Sequence, residues 1–254
     1  MNKQNKGLSS RGVKLWGYGF LTLWLVSRAL TRGILGDYMG GTGENLMEAL
    51  GSSAGMMNLA TAVLICESLS VCAVPLFAAL TTEAIEHTQN AGKYMLRLAV
   101  LGLICEIPYD LLMFGSAMNF SQQNPVWSVF ICAVALYFYQ KFPGKGFKSV
   151  MVWIVVTVAA VLWGSLCKVE YGLPMLLCAL VMWSFRNSAT MKTFSAVLGT
   201  ALCVMLSPFF VAAPMGALVL HYYNGDPGEG NRRIFYAVFP VMLLIGCGIV
   251  LLCK

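Results

Sequence analysis

Two pairs of ionisable residues at helical spacing are the parts of this sequence best suited to acid–base chemistry. Glu83 and His87 lie four residues apart, so on a helix the carboxylate would orient the imidazole and raise its basicity. Glu106 and Asp110 have the same spacing, with Pro108 between them. Histidine is the side chain best suited to proton transfer at neutral pH, and a carboxylate can also accept a proton. These two pairs are therefore our candidate catalytic residues.

Each pair also has a structural interpretation. His87 can be a solvated residue near a helix end, and the second pair of acids can cap neighbouring helices or pair with arginine. Arg28 and Arg32 lie on one face of an earlier apolar segment, and we expect them to meet one of those two acids. Glu67 lies deep in another apolar run, and we expect a neutral hydrogen-bonding group there because an ionised side chain is costly inside a bilayer.

The composition indicates an integral membrane protein. Of the 254 residues, 58% are hydrophobic and 11% are charged, less than half of the roughly 25% charged fraction of ordinary soluble domains. The apolar runs are too long and too unalternating for barrel strands, so helices must satisfy the backbone. The nine cysteines form no CxxC pair and indicate small buried hydrophobes and no metal site. Lysines and arginines are scattered between the apolar runs, which excludes a nucleic-acid-binding patch.

Apolar runs that can cross a bilayer divide the chain into about nine spans, since each span needs about 20 residues. The predicted spans are 13–35, 56–82 with a kink or break near Pro75, 93–114, 126–140, 148–166, 172–185, two short spans within 193–222, and 234–253. The polar stretch TTEAIEHTQNAGK after the second span is expected to be a loop at the membrane surface. The fold class is therefore all-α, a polytopic transmembrane helical bundle of about nine spans, with eight if 193–222 crosses once. Residues 1–254 form a single integral-membrane domain.

The distribution of basic residues predicts the orientation of this bundle. Residues 1–12 are basic, and the positive-inside rule assigns such a segment to the cytoplasm. With nine alternating spans, Lys93, the lysines of 141–148 and Arg186 fall on the same side. The loops on the other side keep Lys168 alone among basic residues. We therefore expect a cytoplasmic N-terminus.

Five segments of the chain resemble the TraX family of membrane proteins. The run PLFAALTTEAIEHTQNAGKYMLRLAVLGLICEIPYDLL is similar to the central signature of that family. Four further segments follow in the family's order: PVWSVFICAVALYFY, YGLPMLLCALVMWSFRN, YYNGDPGEGNRR and FYAVFPVMLL. The resemblance covers roughly residues 65–250. TraX proteins are implicated in N-acetylating conjugative pilin and are similar to multi-span membrane acyltransferases.

This resemblance implies an acetyl or acyl transfer from cytoplasmic acetyl-CoA to a pilin-like protein N-terminus or a small acceptor. The implied location is a bacterial-type cytoplasmic membrane, with pilin or another conjugation-system protein as the partner besides the lipid bilayer. Lys93 and Arg97 would face phosphates, either of lipid or of coenzyme A. Arg232 and Arg233, with Asn224 in the same loop, are the other expected donor-binding residues.

Two histidines of the family pattern are replaced in this chain. The first span reads LWLVSRALTRG where family members carry an Asp-His pair, and Met242 stands where a second histidine follows the proline near the C-terminus. A non-catalytic relative that serves as a membrane partner or assembly factor is therefore the alternative function. A transporter is a more distant alternative, because nothing in the sequence defines a transported substrate.

Overall fold

The structure, a computed structural model, describes residues 7–35, 51, 53–144, 146–188, 191–228 and 234–252, and these residues form a helical bundle. Its α-helices are α1 Ser10–Leu30, α2 Ala54–Ser70, α3 Ala73–His87, α4 Ala91–Phe114, α5 Val126–Lys141, α6 Phe147–Leu166, α7 Gly172–Ser184, α8 Met191–Cys203, α9 Pro214–His221 and α10 Ile234–Leu252. A π-helical turn extends α1, and a 3-10 helix precedes α9. Extended pairing within the described residues is limited to two isolated bridges. The all-α prediction is confirmed.

The outer surface of the bundle is apolar. Three stretches among the described residues are long and apolar enough to cross a membrane: Ala54–His87, Phe147–Leu166 and Ile234–Leu252. Only 11% of the 18-residue apolar stretch of α6 is buried, so this helix turns its apolar side chains outward. Such a surface is stable against lipid and not against water. These features are those of a membrane protein, while the number of crossings stays a prediction.

The break predicted near Pro75 separates α2 from α3. Proline has no N–H group, so Pro75 cannot make the helical hydrogen bond to the carbonyl of Val71. The N–H of Val74 donates to that carbonyl instead, at 3.0 Å, and the chain re-enters a helix at Ala73. The short turn at Val71 and Cys72 therefore joins two helices that the sequence presents as one span.

The predicted surface loop after this break is wrong over its first half, because α3 continues to His87. Thr81 and Thr82 are accommodated in the helix since their hydroxyls donate to the carbonyls of Phe77 and Ala78, at 2.7 and 2.9 Å. The link to α4 is then only three residues long. Its last residue, Asn90, caps α4 by accepting from the N–H of Lys93 at 2.9 Å.

The region predicted as a hairpin of two short spans is indeed divided at its prolines. One limb is the 13-residue helix α8, and the other combines the 3-10 helix Pro208–Ala212 with the 8-residue helix α9. An 8-residue helix is about 12 Å long, well short of the roughly 30 Å hydrocarbon core. The second limb therefore enters the bundle without the length of a full span.

Two hydrophobic clusters hold the helices together. One is centred on α3, α5, α7, α8 and α9, and the other joins α1, α4 and α10. Val74, Leu98 and Met175 belong to the first cluster, whereas Leu21 and Phe239 belong to the second. All five side chains also line a cavity between the clusters. The fold thus leaves a space between two packed halves.

Candidate functional site

The large cavity between the two clusters has a volume of about 620 Å³. One face of α3 forms a wall along its whole length, since the lining positions Ala73, Phe77, Leu80, Ala84 and His87 recur every three or four residues. Ala73 and His87 are fourteen residues apart, which is about 21 Å along a helix. The remaining walls come from α1, α4, α5, α7 and α10. The cavity therefore extends along the whole of α3.

The charged side chains that line the large cavity lie at one end, which we call the mouth. They are Lys14, Glu83, His87 and Arg97, contributed by α1, α3 and α4. His87 and Arg97 are exposed, and Lys14 is half-buried with its ammonium group 5.2 Å from the centre of the Phe235 ring. The mouth thus combines two permanent cations with the predicted Glu83–His87 pair.

The opposite end of the large cavity, which we call the inner end, is apolar. Leu21, Ala73, Val126 and Phe239 are buried there. Tyr171 contributes its ring, but its hydroxyl oxygen is buried out of reach of the cavity and has no hydrogen-bond partner among the described residues. No acidic or basic residue of the described chain lines this end.

Glu83 is held in place by a residue from the C-terminal part of the chain. The hydroxyl of Tyr223 donates a short hydrogen bond to the Glu83 carboxylate. Burial and the neighbouring Glu83 carboxylate raise the pKa of Tyr223, so the phenol stays protonated and remains a donor at neutral pH. Glu83 is thereby fixed one helical turn from His87, on the same face of α3.

A second, small cavity of about 70 Å³ lies on the other side of this pair. It is lined by Glu83 and His87 together with Glu86, Arg186 and Lys192. Glu83 and His87 therefore line both cavities. The structure brings together these two of the four predicted catalytic residues at the boundary between two spaces.

Glu106 and Asp110 lie elsewhere. Glu106 accepts hydrogen bonds from the side chains of Asn124 and Trp127, the second at 3.1 Å, and faces α5. Asp110 is buried and accepts from the backbone N–H of Asn119 at 2.8 Å. Neither residue lines the large or the small cavity. Their contacts are those of groups that fix the α4–α5 connection.

The predicted meeting of Arg28 and Arg32 with these acids is wrong. Arg28 donates to Glu67 at 2.8 Å and to Glu170 at 3.2 Å, because α1 packs along α2 and beside the turn before α7. Arg32 donates to the backbone carbonyl of Phe114 at 3.0 Å. The expectation that Glu67 is an uncharged hydrogen-bonding group is wrong as to its charge, since Glu67 lies in an ion pair with Arg28 and also accepts a hydrogen bond from Ser27.

The structure places the predicted donor-binding residues in different environments. Arg97 lines the large cavity, whereas Lys93 is exposed and does not line it. Asn224 serves the local fold: its N–H donates to the carbonyl of Leu8 at 2.9 Å, and its side chain accepts from the N–H of Asp226 at 2.9 Å. Arg232 and Arg233 lie outside the described residues.

A metal centre has no ligand set in the described part of the chain, since no three His, Cys, Asp or Glu side chains converge there.

Comparison with known protein families gives a match to the family described as TraX protein, over residues 54–250. The chain belongs to the TraX family. No curated protein and no solved structure matches it.

The TraX match begins at residue 54, so α1 lies outside it. This helix supplies Lys14 to the mouth, a residue that the sequence presents only as part of a basic N-terminus. Arg186, Lys192 and Tyr223 were also missed as site residues, because they come from three separate segments that only the tertiary packing brings to Glu83. The segment Tyr222-Tyr223-Asn224 is easily recognised in the sequence, but no neighbouring residue indicates that Tyr223 bonds to the Glu83 carboxylate.

Proposed function

We propose that this TraX protein is a membrane acyltransferase that moves an acyl group from coenzyme A to an amine or hydroxyl acceptor. The observation that supports the proposal best is that Glu83 and His87 line two cavities at once. A donor in the large cavity and an acceptor group in the small cavity would meet beside these two side chains. Lys14 and Arg97 at the mouth fit the phosphates of the donor.

The acyl transfer needs one base. The acceptor nitrogen or oxygen attacks the thioester carbonyl carbon, the new C–N or C–O bond forms, and the C–S bond breaks. His87 takes the proton from the acceptor, and the coenzyme A thiolate leaves and is protonated. The negative charge of Glu83, one helical turn away, favours the charged form of the imidazole, while Tyr223 holds Glu83. By family resemblance, the acceptor is a pilin-like N-terminus or a small amine.

The orientation that suits this reaction puts the mouth in the cytoplasm, where acyl-CoA is available. We propose a cytoplasmic N-terminus and nine segments that enter the membrane, with α8 and α9 as a hairpin that returns to its side of origin. This arrangement keeps the basic connections on the cytoplasmic side, as the positive-inside rule requires.

The two histidines of the chain provide a matched test of this function. His87 lines both cavities, whereas His221 is exposed at the end of α9 and lines neither. Purified protein in lipid nanodiscs is incubated with labelled acetyl-CoA or a labelled long-chain acyl-CoA and with amine acceptors, and thiol release and label transfer are measured. We expect His87→Gln to lower kcat by about 100-fold or more, as for loss of a general base, and His221→Gln to leave it unchanged.

A non-catalytic membrane partner is the second candidate, favoured by Met242 at a position where the family has a histidine. Folded wild-type protein that neither binds nor turns over acyl-CoA donors of any chain length would reject the enzyme in favour of this role. Equal rates for wild type and His87→Gln would leave the enzyme but remove His87 as its base.

A further inference from the structure

We propose that the large cavity holds the acyl chain of the donor and that the preferred donor is a long-chain acyl thioester. This inference rests on the proposed acyltransferase function and specifies its substrate class. Its basis is the contrast between a charged mouth at His87 and an apolar inner end about 21 Å away along α3.

Three hydroxyl groups along the cavity wall already donate to backbone carbonyls. The hydroxyl of Tyr18 donates to the carbonyl of Phe235 at 2.7 Å, and that of Ser128 donates to the carbonyl of Pro125 at 2.6 Å. Thr81 is bonded to Phe77 within its own helix, and the Tyr171 hydroxyl is buried. A ligand that carries amide groups could not accept hydrogen bonds from those three donors, whereas a hydrocarbon chain needs no hydrogen-bond partner.

The dimensions of the cavity fit one extended chain. A volume of about 620 Å³ spread over about 21 Å gives an average cross-section of about 30 Å². An extended chain advances about 1.2 Å per covalent bond, so an acyl chain of about 18 carbons reaches from His87 to Ala73. An acetyl group would fill only the first few ångströms.

The position of the mouth fixes the direction of the chain. With the thioester beside His87, the coenzyme A group lies outside the cavity on the side of Lys14 and Arg97, and the alkyl end points toward Phe239. The carbonyl carbon then remains next to the small cavity, where the proposed acceptor binds. The length of the large cavity thus limits the length of the acyl chain, while the transfer reaction takes place at the mouth.

Chain-length selectivity tests the inference. We would measure kcat/KM for a series from acetyl-CoA to docosanoyl-CoA, and binding of the unreactive thioethers S-ethyl-CoA and S-hexadecyl-CoA by thermal stabilisation. For wild type we expect kcat/KM to rise about 2- to 4-fold per added methylene, to a maximum near 18 carbons, and to fall beyond it. Partitioning into lipid alone gives no such maximum.

Two substitutions at different depths make the test specific. Ala84 lies about 4.5 Å from His87 along α3. The larger side chain of Ala84→Leu should block the cavity there and restrict the enzyme to acyl chains of about four carbons or fewer. Ala73→Leu lies at the inner end and should shorten the optimum by about two to four carbons. Ala237→Leu, on the exposed face of α10, adds the same bulk outside the cavity and should leave the optimum unchanged.

Three results would overturn the inference. If acetyl-CoA is turned over as well as every longer donor, acyl transfer stands and the long-chain substrate is rejected. If the optimum keeps its value in both depth variants, the cavity does not select the chain length. If S-hexadecyl-CoA stabilises the protein no more than S-ethyl-CoA does, a membrane lipid or another molecule occupies the cavity instead. Absence of both turnover and binding for all donors would reject the proposed function, and this inference with it.

Discussion

At the scale of single residues, Arg28 has the most demanding environment. Its guanidinium group bridges Glu67 and Glu170, and Glu170 also accepts from Trp24 at 3.0 Å and from Tyr109 at 2.8 Å. The side chain of Glu170 is only 4% exposed, so its charge depends on these partners. One cation thus compensates two carboxylates from separate parts of the chain.

Removal of this cation should be strongly destabilising. We expect Arg28→Met to cost about 3 kcal/mol, because it leaves two poorly solvated carboxylates without a counter-charge. The melting temperature in detergent should fall by about 5–10 °C. The double variant Arg28→Met with Glu67→Gln should recover part of this loss, since one unpaired charge is gone. A melting temperature of Arg28→Met within 2 °C of wild type would show that the ion pairs contribute little.

The sequence identifies the charged residues of this cluster better than their partners. Arg28 and Glu67 stand out because each interrupts an apolar run, and their cost in a bilayer predicts that each needs a partner. Glu170 is less visible, since it lies in a five-residue connection between two apolar helices. The pairing depends on which faces of α1 and α2 meet, and long-range packing determines this. Hydrophobic periodicity gives no help, because α2 is apolar on nearly all sides.

At the scale of helices, the position of α9 depends on its close approach to the break between α2 and α3. Gly216 packs against the carbonyl of Cys72 and the ring of Pro75. The thiol of Cys72 donates in turn to the carbonyl of Ala212, with a sulfur–oxygen distance of 3.1 Å. This contact connects the short hairpin to the helix that carries His87.

A methyl group at position 216 should disturb that contact. A Cβ atom there would overlap the Cys72 carbonyl oxygen and lie 2.8 Å from Pro75, and backbone cannot move aside as a flexible side chain does. We expect Gly216→Ala to cost about 1–3 kcal/mol, measured as a lower melting temperature. Gly248→Ala in α10, where a Cβ would meet nothing within 4 Å, is the matched control and should be neutral or stabilising. Equal melting temperatures for the two variants would contradict the tight packing of α9.

The helices themselves were largely predictable, and the exceptions have identifiable causes. Long apolar runs gave the positions of α1, α4, α5, α6, α7 and α10, because a run of that length has few alternatives. The polar end of α3 was mistaken for a loop, since average polarity does not reveal threonines that bond to their own helix or a glutamate bonded to Tyr223. The cavity could not be predicted at all, because its walls come from six helices.

At the scale of the whole molecule, the two ends of α4 provide a test of the proposed orientation of the bundle. It has 24 residues and is about 36 Å long, which exceeds the roughly 30 Å hydrocarbon core. Gln89 lies just before it on the side of the mouth, and Ser121 lies just after it at the other end. Both residues are exposed, so cysteines at these positions can report the two sides.

The proposed orientation predicts opposite labelling of these two sites. In a background without the nine native cysteines, Gln89→Cys should react with a membrane-impermeant maleimide in inside-out vesicles and not in intact cells. Ser121→Cys should react in intact cells, because the proposed topology has α4 crossing the membrane. Reaction of both sites from one side would show that α4 does not cross. The reverse pattern would place Lys14, His87 and Arg97 outside the cell, where coenzyme A thioesters are not supplied. The cavity would then have no access to the proposed donor. The side of the membrane that the mouth faces therefore decides whether this cavity can act in acyl transfer.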